Sequence, residues 1–221
     1  MKTLIINFKN YAAVQGEGSL KLARAAERVS KEVGARIIVA PPMPMLGLVA
    51  SKVTIGVFAQ SVSNRAGDKT TGAVLPEAVK AVGAAGTILN HSESRMQAQV
   101  MEELIPRMKK LGLKTCLCAR NSGEVASLAA LGTEYLAVEP PALIGSGVAV
   151  SKAKPGLVER SVRVAREAGY EGKILCGAGI VEGADVEKAV ELGVDGVLVA
   201  SSVVCARDWT AKIRELSLSL D

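Results

Sequence analysis

The chain has 221 residues, of which 49% are hydrophobic and only 3% aromatic, and carries a formal net charge of +5. That length suits one large domain or two small ones, and a core built from Ala, Val, Leu and Ile suits a parallel sheet with helices packed on its faces. The positive charge is dispersed, densest at Arg107, Lys109, Lys110 and Lys114; with so few aromatics for base stacking it argues against nucleic acid as a partner and favours a small anionic substrate.

The opening "MKTLIINF" is too short an apolar run for a signal peptide or a membrane span, so a cytoplasmic protein without a membrane partner is expected. "TLIINF" (3–8) is the first predicted strand. Leu22, Ala26, Val29 and Val33 then recur on one helix face, and Gly34 stands where a left-handed cap ends such a helix. "RIIVA" (36–40) is the second strand, followed by a very short helix around Met45 to Ala50, and "TIGVFA" (54–59) is the third. A long polar loop, "SVSNRAGDKTTGAV" (61–74), leads towards the fourth, "GTILN" (86–90).

A helix stopped by Gly112 precedes "KTCLCA" (114–119), and a short one from Ser122 to Leu131, stopped by Gly132, precedes "YLAVE" (135–139). Val158, Val162 and Ala165 mark the next helix up to Gly169, before "KILCG" (173–177); Val186, Ala189 and Val190 mark another up to Gly193, before "GVLVA" (196–200). Of the four cysteines, Cys116 and Cys118 are expected to alternate across their strand. With no CxxC pair and no second histidine there is no zinc pattern, so Cys116, Cys118, Cys176 and Cys205 are read as reduced thiols and no metal is expected.

No composition break marks a linker, so 1–221 is expected to be a single domain. Eight β-then-α units with right-handed crossovers close most simply into an α/β (β/α)8 barrel, with an open doubly wound sheet as the rival. In a barrel, chemistry belongs at the C-terminal strand ends. Those ends carry Asn7, Lys9 and Asn10, then Gln60, then Asn90, His91 and Glu93, then Glu139, then "CGAG" (176–179) and "ASS" (200–202).

Each of these has an ordinary structural reading: a lone histidine in the core, a solvated lysine, a glutamate in a surface ion pair. Their convergence on one mouth favours function. The start of the following helix would disfavour a charged imidazole at His91 and leave it a neutral hydrogen-bond donor. "CGAGI" also resembles a dinucleotide loop, but the next strand ends in "VASS" rather than in a ribose-binding acid. The small residues after the last two strands suit a barrel phosphate site instead.

The motifs "NFKNY" (7–11), "NHSESR" (90–95), "VEPPALIGSG" (138–147), "CGAGI" (176–180) and "LVASSV" (198–203) resemble, in that order, those of the triosephosphate isomerase family, and its shorter archaeal branch in particular. The resemblance runs along the whole chain. It implies a TIM barrel and a glycolytic and gluconeogenic isomerase that interconverts dihydroxyacetone phosphate and D-glyceraldehyde 3-phosphate through an enediolate, with no cofactor.

By resemblance, Glu139 is the base, His91 the neutral electrophile, and Lys9 with Asn7 the stabiliser of developing charge and phosphate, with Glu93 beside Lys9. Backbone N–H groups of Ile144, Gly179, Ala200 and Ser201 hold the phosphate. Pro140, Pro141, Ala142, Leu143, Ile144, Gly145, Ser146 and Gly147 form a lid that excludes water from a reactive intermediate.

Four residues depart from the pattern of the longer relatives. Ala142 and Leu143 fill the region of a lid tryptophan, Cys176 stands in place of a tyrosine that latches the lid, and Gly179 in place of a serine. The resemblance further implies that the 61–74 loop docks into a partner subunit, with Thr71 or Thr70 near the partner's Lys9, in a homo-oligomer, dimer or tetramer. The competing readings are another phosphate-binding barrel enzyme, either an aldolase or a sugar-phosphate isomerase, and a catalytically inactive phosphate-binding barrel. An aldolase would need a Schiff-base lysine inside a strand, whereas Lys114 and Lys173 only open theirs.

Overall fold

A computed structural model describes residues 1–140 and 154–220. Eight parallel strands close into a barrel in chain order: β1 (Thr3–Asn7), β2 (Arg36–Ala40), β3 (Gly56–Ala59), β4 (Gly86–Leu89), β5 (Lys114–Ala119), β6 (Tyr135–Val138), β7 (Lys173–Cys176) and β8 (Gly196–Val199). The last strand returns to the first, with Leu4 opposite Val197 and Ile5 opposite Leu198. Closure leaves no unpaired strand edge. Each strand is buried on both faces, which is why its sequence is nearly unbroken aliphatic.

Side-chain alternation divides the core into two layers. Ile5, Ile38, Phe58, Ile88, Leu175 and Leu198 fill the barrel interior. Leu4, Ile6, Val39, Leu117, Leu136 and Val197 face the helices. Phe58 and Tyr135 meet edge to face in the interior with ring centroids 6.1 Å apart, the geometry that the aromatic quadrupole favours.

The described helices are α1 (Glu17–Val33), α2 (Leu46–Ala50), α3 (Pro76–Ala81), α4 (Ala98–Lys110), α5 (Ser122–Ala129), α6 (Pro155–Glu167), α7 (Gly183–Glu191), α8 (Ser201–Val204) and α9 (Trp209–Leu218). Leu22, Ala26 and Val29 form the buried stripe of α1, and Gly34 ends it at φ 68°, a conformation that carries no Cβ penalty only for glycine. The other expected stops, at Gly112, Gly132, Gly169 and Gly193, also have positive φ. The second and fifth helices are short, as the sequence implies. No helix among the described residues is long and apolar enough to cross a membrane.

Two expectations need correction. β3 begins at Gly56 rather than at 54, because Thr54 gives both its N–H (2.7 Å) and its hydroxyl (2.6 Å) to Glu27 of α1. Cys116 and Cys118 do not lie on opposite faces. A two-residue spacing returns to the same face of a strand, and both thiols are buried in the barrel interior. The basic cluster is partly tied down: Arg107 forks onto Glu77 at 2.8 and 2.6 Å, and Lys109 donates to the Leu131 carbonyl at 3.0 Å.

Candidate active site

The end of β1 places Asn7 and Lys9. Lys9 has φ 47°, a backbone conformation that costs a non-glycine residue on the order of 1–3 kcal/mol. Its two backbone groups are held from both sides. Its N–H donates to Asn7 Oδ1 at 3.0 Å, and its carbonyl accepts from Gln60 Nε2 at 2.9 Å. Gln60 also donates to the Ala40 carbonyl at 3.1 Å, so the first three strand ends lock together. The Lys9 ammonium then lies 2.7 Å from Glu93 Oε1 with only 18% of its side chain exposed.

After β4, Asn90 also has positive φ, 56°. Its side chain donates to the Cys118 carbonyl at 2.9 Å and accepts from the Met96 N–H at 3.0 Å. This turn swings His91 into the barrel mouth, where it is buried. The Glu93 N–H donates to His91 Nδ1 at 3.2 Å. A nitrogen that accepts carries no proton, so the hydrogen of the neutral imidazole sits on Nε2. The imidazole pKa is pushed down to about 4, first by burial and then by the positive charge of Lys9; Glu93 opposes and Arg95 adds to the depression. The expected cause was the start of the next helix. That helix begins only at Ala98, so burial and Lys9 keep the ring neutral instead.

Glu139 directly follows β6, and its N–H donates to the Ala119 carbonyl at 2.7 Å. Its side chain is 2% exposed, with Oε1 3.5 Å from His91 Nε2. Oε2 is buried without a hydrogen-bond partner. Burial raises the carboxyl pKa to about 7, against the nearby Cys118 thiol, Arg95 and Lys9, which favour the anion. The site thus moves an acid and a base in opposite directions from their ordinary values. Gly177 makes room for this carboxylate: a Cβ there would stand 2.6 Å from Glu139 Cγ.

Two loops of small residues complete the mouth. Gly179 has φ 73°, and Ala200 turns sharply ahead of α8 with φ −139° and ψ −89°. Asn7, Lys9, His91, Glu139, Gly179, Ala200 and Ser201 all line one cavity. Pro140, the next residue after Glu139, is buried. Pro141, Ala142, Leu143, Ile144, Gly145, Ser146 and Gly147 lie outside the described residues. Cys176, the position of the missing tyrosine, is fully buried in the layer between sheet and helices.

Sequence reasoning missed several contributors. Tyr11 lines the same cavity; it stood inside the "NFKNY" motif but was given no role. Arg95, inside "NHSESR", reaches back to the Asn90 carbonyl at 2.7 Å. Gly177 lies within "CGAG", but nothing local shows why it must be small, because that need comes from a side chain on the neighbouring strand. The 61–74 loop is fastened at its base by Ser63 N–H to the Val74 carbonyl (2.8 Å), by Asn64 to Glu103 (2.6 Å) and by Arg107 to the Arg65 carbonyl (2.8 Å). Thr71 is exposed on it and Thr70 half-buried.

Chemically, the cavity offers a buried carboxylate, a neutral imidazole N–H, an ammonium and small-residue loops whose backbone can approach an anion. A family model described as triosephosphate isomerase matches residues 2–216. A curated triosephosphate isomerase of Methanocaldococcus jannaschii is 45% identical over 96% of this chain and 97% of its own length. One from Methanothermus fervidus is 43% identical over 96% of each chain. Another, from Caldivirga maquilingensis, is 44% identical over 98% of this chain and 96% of its own. The chain belongs to the triosephosphate isomerase family.

Proposed function

We propose that the chain interconverts dihydroxyacetone phosphate and D-glyceraldehyde 3-phosphate, with Glu139 as the base and His91 as the electrophile. The observation that carries this is the approach of His91 Nε2 to Glu139 Oε1, 3.5 Å apart and both facing the cavity that Lys9 lines. Moving a carbonyl to the adjacent carbon requires one base within reach of both carbons and one donor within reach of both oxygens. A carboxylate and an imidazole N–H side by side supply them, in the division of labour known for this family.

In this reading Glu139 removes a proton from the carbon next to the carbonyl and returns it to the neighbouring carbon. The Nε2–H of His91 donates to the developing enediolate oxygen and passes protons between the two oxygens. A neutral imidazole suits that task, since its N–H is about as weak an acid as the enediol hydroxyl, whereas an imidazolium is a far stronger one, so the proton passes readily in either direction. Lys9 stabilises the negative charge in a site where little water screens it. Asn7 holds the Lys9 backbone. The N–H groups of Gly179, Ala200 and Ser201, with Ile144 from the lid, bind the phosphate dianion.

The substrate is thus a small phosphorylated molecule, no cofactor takes part, and 1–221 acts as one cytoplasmic domain in a homo-oligomer. The fastened base of the 61–74 loop supports docking into a second copy, because an arm ordered beforehand loses less entropy on binding. Sedimentation at several concentrations tests that assembly. The primary experiment follows isomerisation of glyceraldehyde 3-phosphate, coupled to a reductase for dihydroxyacetone phosphate, in the wild-type chain beside Glu139→Gln. Turnover that collapses in the variant supports the reaction and its base. A folded chain without turnover overturns the reading.

A further inference from the structure

Behind the His91–Glu139 pair lies a charged group that the reaction scheme does not use. Arg95 Nη1 donates to the Asn90 carbonyl at 2.7 Å and reaches the Cys118 carbonyl at 3.5 Å. Asn90 is the residue of positive φ that aims His91. Cys118 precedes Ala119, whose carbonyl accepts the Glu139 N–H at 2.7 Å. One guanidinium therefore grips the end of the strand that carries the imidazole and the end of the strand against which the carboxylate is anchored. Its other terminal nitrogen, Nη2, is buried without a hydrogen-bond partner. The only acidic group paired with it among the described residues, Glu124 on α5, is 4.0 Å away and is itself engaged by Arg120 at 2.6 Å.

A guanidinium nitrogen buried without a hydrogen-bond partner costs stability. A shorter apolar residue would cost less if fold were all that mattered. We infer that Arg95 is a positioning residue for the isomerisation: it ties the ends of β4 and β5 together and sets a fixed positive charge behind His91 and Glu139.

The charges facing the pair come from every side. Lys9 and Glu93 face it from the β1 and β4 loops, the Cys118 thiol from β5, and Glu124 lies behind Arg95. Lys9 and Glu93 sit 2.7 Å apart and largely offset each other. Arg95, less closely matched, leaves a net positive field on both groups, and it acts in the same direction on each: it lowers the His91 and the Glu139 pKa.

The inference rests on the roles given above to His91 and Glu139, but its test does not require turnover. His91 is the only histidine of the chain, so the ring resonances of the full-length protein titrate without overlap. In Arg95→Met, His91 is expected to titrate about half a unit to one unit above wild type. The acidic limb of kcat/KM, set in this reading by Glu139, also moves up because Arg95 lowers that pKa too, and kcat/KM itself falls about tenfold. In Arg95→Lys, which keeps the charge but loses the fork, His91 stays close to its wild-type titration while kcat/KM still falls.

A His91 titration identical in Arg95→Met and wild type overturns the inference. So does a His91 titration in Arg95→Lys that lies about half a unit or more above wild type, and that second arm decides the matter even where the methionine variant does not fold. A chain that fails to isomerise triose phosphates overturns the functional reading instead, while the titrations still judge Arg95.

Discussion

His91 Nε2 and Glu139 Oε1 stand 3.5 Å apart in a site that drives their protonation in opposite directions, the imidazole pKa to about 4 and the carboxyl to about 7. At neutral pH this is not an ion pair. It is a neutral donor beside a carboxyl group whose pKa lies near neutrality, the condition under which a carboxylate transfers protons best at neutral pH.

The first consequence concerns the base itself. Glu139→Gln is expected to lower kcat by about a thousandfold, within the range general bases contribute. It is also expected to stabilise the fold in mildly alkaline solution. The folded carboxyl holds its proton more tightly than the unfolded one, so its ionisation weakens folding as pH rises from about 4.5 to about 7. The full cost is on the order of 3 kcal/mol, and the glutamine recovers part of it. Denaturant melts at pH 8 and at pH 4.5 check this: a stability gain equal at both values counts against the burial argument.

His91 makes the opposite contribution. Its pKa lies at about 4 in the fold against 6.5 for an ordinary imidazole, so the unfolded chain takes up the proton first. Stability is therefore lost as pH falls from about 6.5 to about 4. His91→Asn is expected to flatten that part of the pH–stability curve and to lower kcat by about a hundredfold or more. Acid melts of the two proteins that run parallel would show that the imidazole is not the group being titrated.

A third expectation follows for the pH profile. With Glu139 as the proposed base, kcat/KM is expected to fall below about pH 7 along a limb of one proton. The measurement is kcat/KM across pH 5 to 9 with a correction for titration of the substrate phosphate. A profile flat down to pH 5 after that correction contradicts the raised carboxyl.

Gln60 is expected to act at a distance from the chemistry. Gln60→Ala removes the donor to the carbonyls of Lys9 and Ala40. Lys9 then relaxes from its strained backbone and its ammonium is no longer fixed. The Michaelis constant should rise several-fold, with a loss of about 1–2 kcal/mol of stability. An unchanged KM would show that Lys9 keeps its place without this support.

Gly177→Ala tests the space made for the base. The new Cβ would meet Glu139 Cγ at 2.6 Å, so one of the two must move. We expect kcat to fall tenfold or more, because small misplacements of a reacting group are costly. The melting temperature should drop by only a few degrees. A large drop in melting temperature with full activity in the remaining folded enzyme would place the strain in the strand instead of at the base.

Much of this was legible in the chain itself. The strand runs 36–40 and 114–119 coincide with β2 and β5, because continuous aliphatic runs and glycine stops are local signals. The polar residues Asn7, Lys9, His91 and Glu139 were recognisable because each ends such a run, and all four line one cavity. The orientation of Cys116 and Cys118 was misjudged although it too was local, a matter of strand period alone.

The sequence by itself determined the alternation of strand and helix, the closed barrel that this alternation favours, and the strand ends where polar groups gather, since each depends on neighbours within a few residues. The tertiary structure decided what those groups became. Gln60 finds the Lys9 carbonyl across 51 positions, Arg95 reaches Cys118 across 23, and Gly177 must be small because Glu139 on the adjacent strand leans over it. A pKa near 4 for one group and near 7 for the other comes from desolvation and from charges on other strands. Burial and long-range field exist only once the barrel has closed.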